Sequence, residues 1–236
     1  MVQPSGFLPD LKDTENPTPI SQKAIRAAGH GIGRLMIKAP WLWPLMRGPV
    51  REFFDRRANG WDERTGAGGP SHLTPLAAAL TKIEEPERAL ELGTGTGVGA
   101  LLIAREFPRC SVRGVDISVP MIEQAQERIG LDPEARVSFR VADASKLPFD
   151  DGSFDLVAQL NLPPFLDETA RVLRPGGYFV TATSWGQRTP FHVDPGDLEE
   201  AASRRGLHLV ESAEIGDGEY SVFTRQPPPS RLDSPA

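Results

Sequence analysis

The chain is short of cysteine, of long apolar runs and of net positive charge, and each shortage excludes a class of protein. Its single Cys110 cannot form an internal disulfide, which fits a reducing cytoplasm, the compartment expected here. No stretch is long and apolar enough to span a bilayer. The most apolar candidate, residues 39–50, is short and contains Pro40, Pro44, Arg47 and Pro49. The first twenty residues hold no apolar core segment, so no secretory leader is expected. A net charge of −6 argues against broad nucleic-acid binding, which needs phosphate-neutralising cations. One segment departs from that balance. Residues 21–61 hold Lys23, Arg26, Arg34, Lys38, Arg47, Arg51, Arg56 and Arg57 against Glu52 and Asp55, a net +6 that leaves −12 elsewhere. No metal is expected.

What is present is a globular composition, 39% hydrophobic and 25% charged, over 236 residues, enough for one large domain or a domain with an extension. Residues 1–20 contain Pro4, Pro9, Pro17 and Pro19 without periodicity and read as a mobile arm. Residues 21–85 read as a helical N-terminal cap or lid. Within them Ile25, Ala28, Ile32, Leu35 and Met36 share a helical face, and a second helix is expected over 50–59. Residues 86–226 form the main domain. Residues 227–236, with Pro227-Pro228-Pro229, read as a disordered tail.

From residue 86 the pattern alternates strand and helix. Strands are expected at 88–92, 111–116, 137–141, 154–160 and 178–184, and helices at 98–107, 119–129 and 165–173. Ser118 and Pro120 supply the start signals of the second helix. This alternation demands a parallel sheet with helices on both faces. A helix opening at Asp194-Pro195 follows. Two strands at 207–213 and 220–225 then flank Gly216-Asp217-Gly218, a hairpin signal. The expected fold is α/β, doubly wound, a mostly parallel seven-stranded sheet ending in an antiparallel hairpin, with a helical N-terminal cap.

The run Glu91-Leu92-Gly93-Thr94-Gly95-Thr96-Gly97-Val98-Gly99 joins the first strand to the first helix. Glycines there let the backbone turn sharply and approach a bound nucleotide-like molecule. Gly95 to Ala100 also satisfies a dinucleotide fingerprint, so a nicotinamide oxidoreductase stays open. Asp116 ends the second strand nineteen residues after Gly97. That distance fits a carboxylate accepting ribose hydroxyls, and a helix N-cap is the alternative. Ile117 is placed to pack on a base.

These residues, with Val141-Ala142-Asp143-Ala144, the pieces Leu147-Pro148-Phe149 and Gly152-Ser153-Phe154-Asp155, and Arg171-Val172-Leu173-Arg174-Pro175-Gly176-Gly177, resemble the ordered signatures of class I S-adenosylmethionine-dependent methyltransferases, type 11. The run from Phe53 to Asp62 resembles the lid helix of the quinone-biosynthesis members. The resemblance implies S-adenosylmethionine as cofactor and a small-molecule acceptor. It implies that Glu91 holds the methionine amino group through water, that Asp143 accepts the adenine amine and that the Ala144 N–H meets a ring nitrogen. Gly93, Gly95, Gly97 and Leu160 complete the implied cofactor set. A carboxylate at the glycine loop suits a sulfonium and repels a pyrophosphate, which ranks the nicotinamide reading second. A cofactor-binding protein without catalysis is the third reading.

The acceptor side is less determined. Asn161-Leu162-Pro163-Pro164-Phe165 is similar to the Asn-Pro-Pro-aromatic motif of amino-methylating relatives, but Leu162 is inserted, which displaces the Asn161 side chain. Asn161, His72 and His192 are the catalytic candidates, the histidines as bases, although a histidine so placed is more often a surface or structural one. Trp41 and Trp43 read either as a membrane-interface or lipophilic-substrate contact, or as residues packed on the domain.

Overall fold

The computed structural model of the chain describes residues 19–129 and 136–226. Its elements are α1 (Pro19–Lys38), α2 (Trp43–Asp55), α3 (Trp61–Thr65), α4 (Pro70–Leu80), β1 (Arg88–Leu92), α5 (Val98–Glu106), β2 (Ser111–Asp116), α6 (Val119–Ile129), β3 (Val137–Val141), β4 (Phe154–Leu160), α7 (Leu166–Val172), β5 (Leu173–Thr183), α8 (Pro195–Ser203), β6 (Leu207–Ile215) and β7 (Gly218–Arg225). The seven strands lie in the order β3-β2-β1-β4-β5-β7-β6. β1 to β5 are parallel, and β7 inserts antiparallel between β5 and β6. The reversal of strand order between β1 and β4 makes a crevice at the strands' carboxyl ends.

Each face of the sheet is buried. On one side α1, α2, α7 and α8 cover Leu90, Leu92, Val157, Phe179 and Phe223. On the other α4, α5 and α6 cover Ala89, Val112, Leu156, Ala158 and Val180. Burial on both faces explains why β1 and β4 read as near-continuous apolar runs rather than alternating ones. Among the described residues no helix is long and apolar enough to cross a membrane.

The N-terminal segment differs most from expectation. The second helix runs over Trp43–Asp55 rather than 50–59, and α3 and α4 follow it. Pro44 sits in the first turn of α2, where its missing N–H costs nothing, and Trp43, Met46 and Val50 form its buried stripe. α4 packs Leu76, Ala79 and Leu80 into the sheet layer, so the helical segment is continuous with both cores. The expected arm and tail lie outside the described residues, apart from Pro19 and Ile20 in α1. β5 begins at Leu173, so Arg174-Pro175-Gly176-Gly177 forms an irregularity inside that strand, with β4 register jumping from Phe154↔Leu173 to Leu156↔Tyr178. The hairpin turn falls at Gly216-Asp217, as the sequence predicts.

Gly97 is the N-cap of α5 with φ +84°, and a Cβ there would lie 2.6 Å from the buried Phe139 ring. Gly97→Ala therefore combines backbone strain with overpacking. We expect it to lower unfolding free energy by about 2 kcal/mol or more in urea titration. Gly48→Ala, at an open position within α2, is expected to be neutral or slightly stabilising.

Candidate functional site

The carboxyl ends of β1, β2, β3 and β4 open into one cavity. Its floor is Gly93, Gly95, Asp116, Ile117, Asp143 and Ala144. Gly95 has φ +52°, and open space stands where its Cβ would be. The Asp116 carboxylate accepts the Gly95 N–H at 2.9 Å and the Ser118 N–H at 2.9 Å. One side chain thus fixes the glycine loop and the start of α6, while lining the cavity. Burial pushes its pKa up, against the N–H donors of Ser118, Gly95 and Ile117.

Asp143 is held from the lid. Its Oδ1 accepts the Trp43 indole N–H at 2.9 Å and the Ser145 N–H at 2.9 Å, and its Oδ2 accepts Arg47 at 3.1 Å. Burial alone would raise its pKa; the Ser145, Trp43 and Arg47 donors outweigh it and hold the carboxyl below the usual range. Trp43 is 3% exposed and packs edge-on to Phe165 with centroids 5.0 Å apart. A second tie joins lid to loop. Thr96 donates its hydroxyl to Asp62 at 2.7 Å, and Arg128 pairs with Asp62 and donates to the Thr96 carbonyl at 2.9 Å.

Apart from Asn161, the rest of the cavity is aromatic and apolar, with Trp43, Val50, Phe54, Trp61, Leu162 and Phe191 among its lining. The sequence located Phe54 and Trp61 as lid residues but gave no role to Phe191, which sits in the irregular segment after β5. The only sequence signal for it was an aromatic beside Pro190. Leu162 lies against Gly93 so closely that a Cβ at that glycine would overlap it. The inserted leucine therefore has a seat, on the glycine loop.

Three expected cofactor residues do not line this cavity. Leu160 points to the opposite sheet face, in the core with Ala158 and Val180; Leu162 takes the wall position instead. Gly97 serves helix packing against Phe139 and Ala125. Glu91 is 2% exposed behind the loop, where it accepts the Thr94 hydroxyl. Of the catalytic candidates, only Asn161 lines the cavity, at φ +56°. Its amide is committed at both ends: Nδ2 donates to the Ser184 hydroxyl at 2.8 Å and Oδ1 accepts the Ser184 N–H at 2.8 Å. His72 lies behind Ser184 and packs edge-on to Trp185. Burial lowers its pKa, partly offset by Asp62. His192 is turned to Glu219, with Nε2 3.0 Å from its carboxylate.

Desolvation raises the Glu91 pKa from 4.5 to about 7, against the Thr94 hydroxyl and the Ala100 N–H. The folded state then holds a proton that the unfolded chain releases, so stability falls as pH rises from 4.5 towards about 7. Glu91→Gln removes that titration. The stability of the variant relative to the parent is expected to improve by roughly 2–3 kcal/mol between pH 4.5 and pH 8 in paired denaturant titrations.

Residues 89–177 match the family model described as a methyltransferase domain. The malonyl-[acyl-carrier protein] O-methyltransferase of Geobacter sulfurreducens is 34% identical over 186 residues, covering 76% of this chain and 66% of that protein. The ubiquinone/menaquinone biosynthesis C-methyltransferase of Desulfotalea psychrophila is 38% identical over 144 residues, covering 56% of this chain and 57% of that one. The chain thus spans 66% and 57% of the length of these curated relatives. Among solved structures, the phosphoethanolamine N-methyltransferase 2 of Haemonchus contortus in complex with S-adenosyl-L-methionine superposes with a TM-score of 0.62 at 20% identity, over 75% of this chain and 60% of that one, a likeness of fold. The ordered signatures, the sheet order closed by its antiparallel hairpin and these matches together make the chain a member of the class I S-adenosylmethionine-dependent methyltransferases.

Proposed function

We propose that the chain moves a methyl group from S-adenosylmethionine to a small acceptor with an apolar or planar body. The observation that carries this reading is one cavity with two halves: a carboxylate-bearing glycine cradle from β1, β2 and β3, and an aromatic half from the lid, Leu162 and Phe191. The residues fit the cofactor. The space beside Gly95 admits a ligand against the backbone. A carboxylate offers about four acceptor positions, so Asp116 keeps capacity for ribose hydroxyls beyond its backbone donors. Asp143 likewise keeps capacity on Oδ2 for an adenine amine beside Arg47. Ile117 and Ala144 flank the base between them.

The bound cofactor supplies an electrophilic methyl carbon on a sulfonium, whose leaving group is a neutral thioether. The chain supplies alignment and dryness. Loop 93–97 and the two acids fix one reactant, and Phe54, Trp61 and Phe191 exclude water around the other. Neither His72 nor His192 lines this cavity and the Asn161 carboxamide is not basic, so we infer catalysis by positioning, with no base drawn from these three. The sheet order argues against the nicotinamide alternative, since a dinucleotide-binding sheet continues in parallel where β7 and β6 turn back.

The lid has a second face. Trp43 is buried, so of the tryptophan pair only Trp41 looks outward, 72% exposed, joined by Leu45 at 76%. Arg34, Lys38, Arg47 and Arg51, all exposed, flank them in the chain. This basic, apolar surface favours peripheral contact with an anionic bilayer by a protein resident in the cytoplasm.

Calorimetry tests the first reading. S-adenosylhomocysteine is expected to bind, and Asp116→Ala to weaken it by about 100-fold or more through two lost charge-assisted hydrogen bonds. No heat with the folded parent protein would end the assignment. Co-sedimentation with phosphatidylglycerol vesicles tests the second. The parent is expected to pellet, and the pair Trp41→Ala, Leu45→Glu to stay in solution; equal behaviour of the two proteins rejects the contact.

A further inference from the structure

A second cavity adjoins the first across Leu162 and Phe191, which line both. It lies between the face of β4, β5 and β7 and the segment leading into α8, with Val193, Pro195 and Leu198 on its outer side. Its floor is polar, which is unusual for a sheet face otherwise packed with Val157, Phe179 and Phe223. Gln159, Thr181 and Ser221 stand in register across the three strands, 1%, 9% and 7% exposed. One step along, Thr183 stands opposite Glu219.

The Gln159 amide has one possible orientation. Its Nε2 donates to the Leu162 carbonyl at 3.1 Å and to the Thr181 hydroxyl oxygen at 3.0 Å. A carbonyl cannot donate, so the reverse orientation would set two acceptors against each other. Oε1 is thereby left buried with no protein partner. A buried, unpartnered amide oxygen is costly unless something donates to it. Glu219 adds a carboxylate to the same wall, where Thr183 donates to its Oε1 at 3.3 Å and His192 lies beside it.

We infer that this second cavity is the subsite for a hydrogen-bond-donating group of the acceptor, a hydroxyl or a protonated amine, and that it rejects a carboxylate. The inference rests on the methyltransferase reading and adds the acceptor's polarity to it. The acceptor's apolar body occupies the aromatic half of the first cavity. Its donor passes Leu162 and Phe191 to reach Gln159 Oε1 and Glu219. Leu162 and Phe191 are the shared wall, and their displacement by the acceptor joins the two cavities into one bent site.

The test uses three probes of one length, 1-heptanol, heptylammonium and heptanoate, titrated by ligand-observed NMR into full-length protein saturated with S-adenosylhomocysteine. The alcohol and the ammonium are expected to bind at least about tenfold tighter than heptanoate. Glu219→Gln is expected to cut that discrimination to about threefold or less, and Gln159→Met to weaken the alcohol by roughly tenfold, each with unchanged S-adenosylhomocysteine affinity. Thr181→Val is the companion variant should Gln159→Met not fold; it leaves a Gln159 N–H without its acceptor and is expected to weaken the alcohol likewise. Heptanoate binding within about threefold of heptanol, discrimination that survives Glu219→Gln, or no probe binding to the cofactor-loaded protein would each overturn the subsite, the last leaving only ordered water on Gln159. Absence of S-adenosylhomocysteine binding is a separate result: it removes the cofactor reading and the subsite with it.

Discussion

The Asp116 carboxylate is the point on which the site depends. A parallel sheet presents its strand ends as an uneven edge, and the loop after β1 has no regular structure to hold it. Asp116 holds it from the next strand by accepting the Gly95 N–H, and it accepts the Ser118 N–H at the entry to α6. Burial of that charge is unfavourable in isolation, as the rise in its pKa reflects. The backbone donors offset part of the loss. The outcome is a carboxylate fixed in place before any ligand arrives, which is the condition for a hydrogen bond to a hydroxyl to be made without further ordering.

The lid is fastened to the body at Asp143, which lines the cofactor half, and at the glycine loop behind it. Asp143 takes Trp43 and Arg47, and Asp62 takes Thr96 from the glycine loop together with Arg128. Asp143 therefore serves both the cavity floor and the anchorage of the helical segment. The charge asymmetry points the same way. Residues 21–61 carry a net +6 and the main domain, residues 86–226, a net −8, so general attraction favours their contact while the named pairs set its register.

The sheet and its floor residues were legible in the sequence because backbone signals mark them. Glycines, the acid nineteen residues on and the Gly216-Asp217-Gly218 hairpin each have a local physical cause, and the observed strands follow them. Depth and facing were not legible. Glu91 and Leu160 sit at motif positions, but a strand alternates its faces with period two, and one residue decides between wall and core. Leu160 falls on the core side and Leu162, past the end of β4, on the wall. The lid helices start where proline is tolerated. Pro44, Pro49, Pro70 and Pro75 look like breakers, yet Pro44 and Pro70 stand in first turns, where no N–H is needed. Phe191, an aromatic beside Pro190, carried no signal of its role, since only the chain's return over the sheet brings it to the cavity.

The polar row across β4, β5 and β7 is harder to explain by stability than by use. Buried polar groups replaced together by apolar ones of like shape are often neutral or stabilising, so a sheet face gains little from Gln159, Thr181 and Ser221 where its neighbours are Val157, Phe179 and Phe223. The row is also incompletely satisfied, which is the arrangement folding alone would remove first. Its cavity shares Leu162 and Phe191 with the cavity of the glycine cradle. Local rules broken beside a binding cavity are most economically read as serving what binds there. On that argument the inserted leucine and the orphaned amide are one feature: the first bends the acceptor's path, and the second receives its polar end.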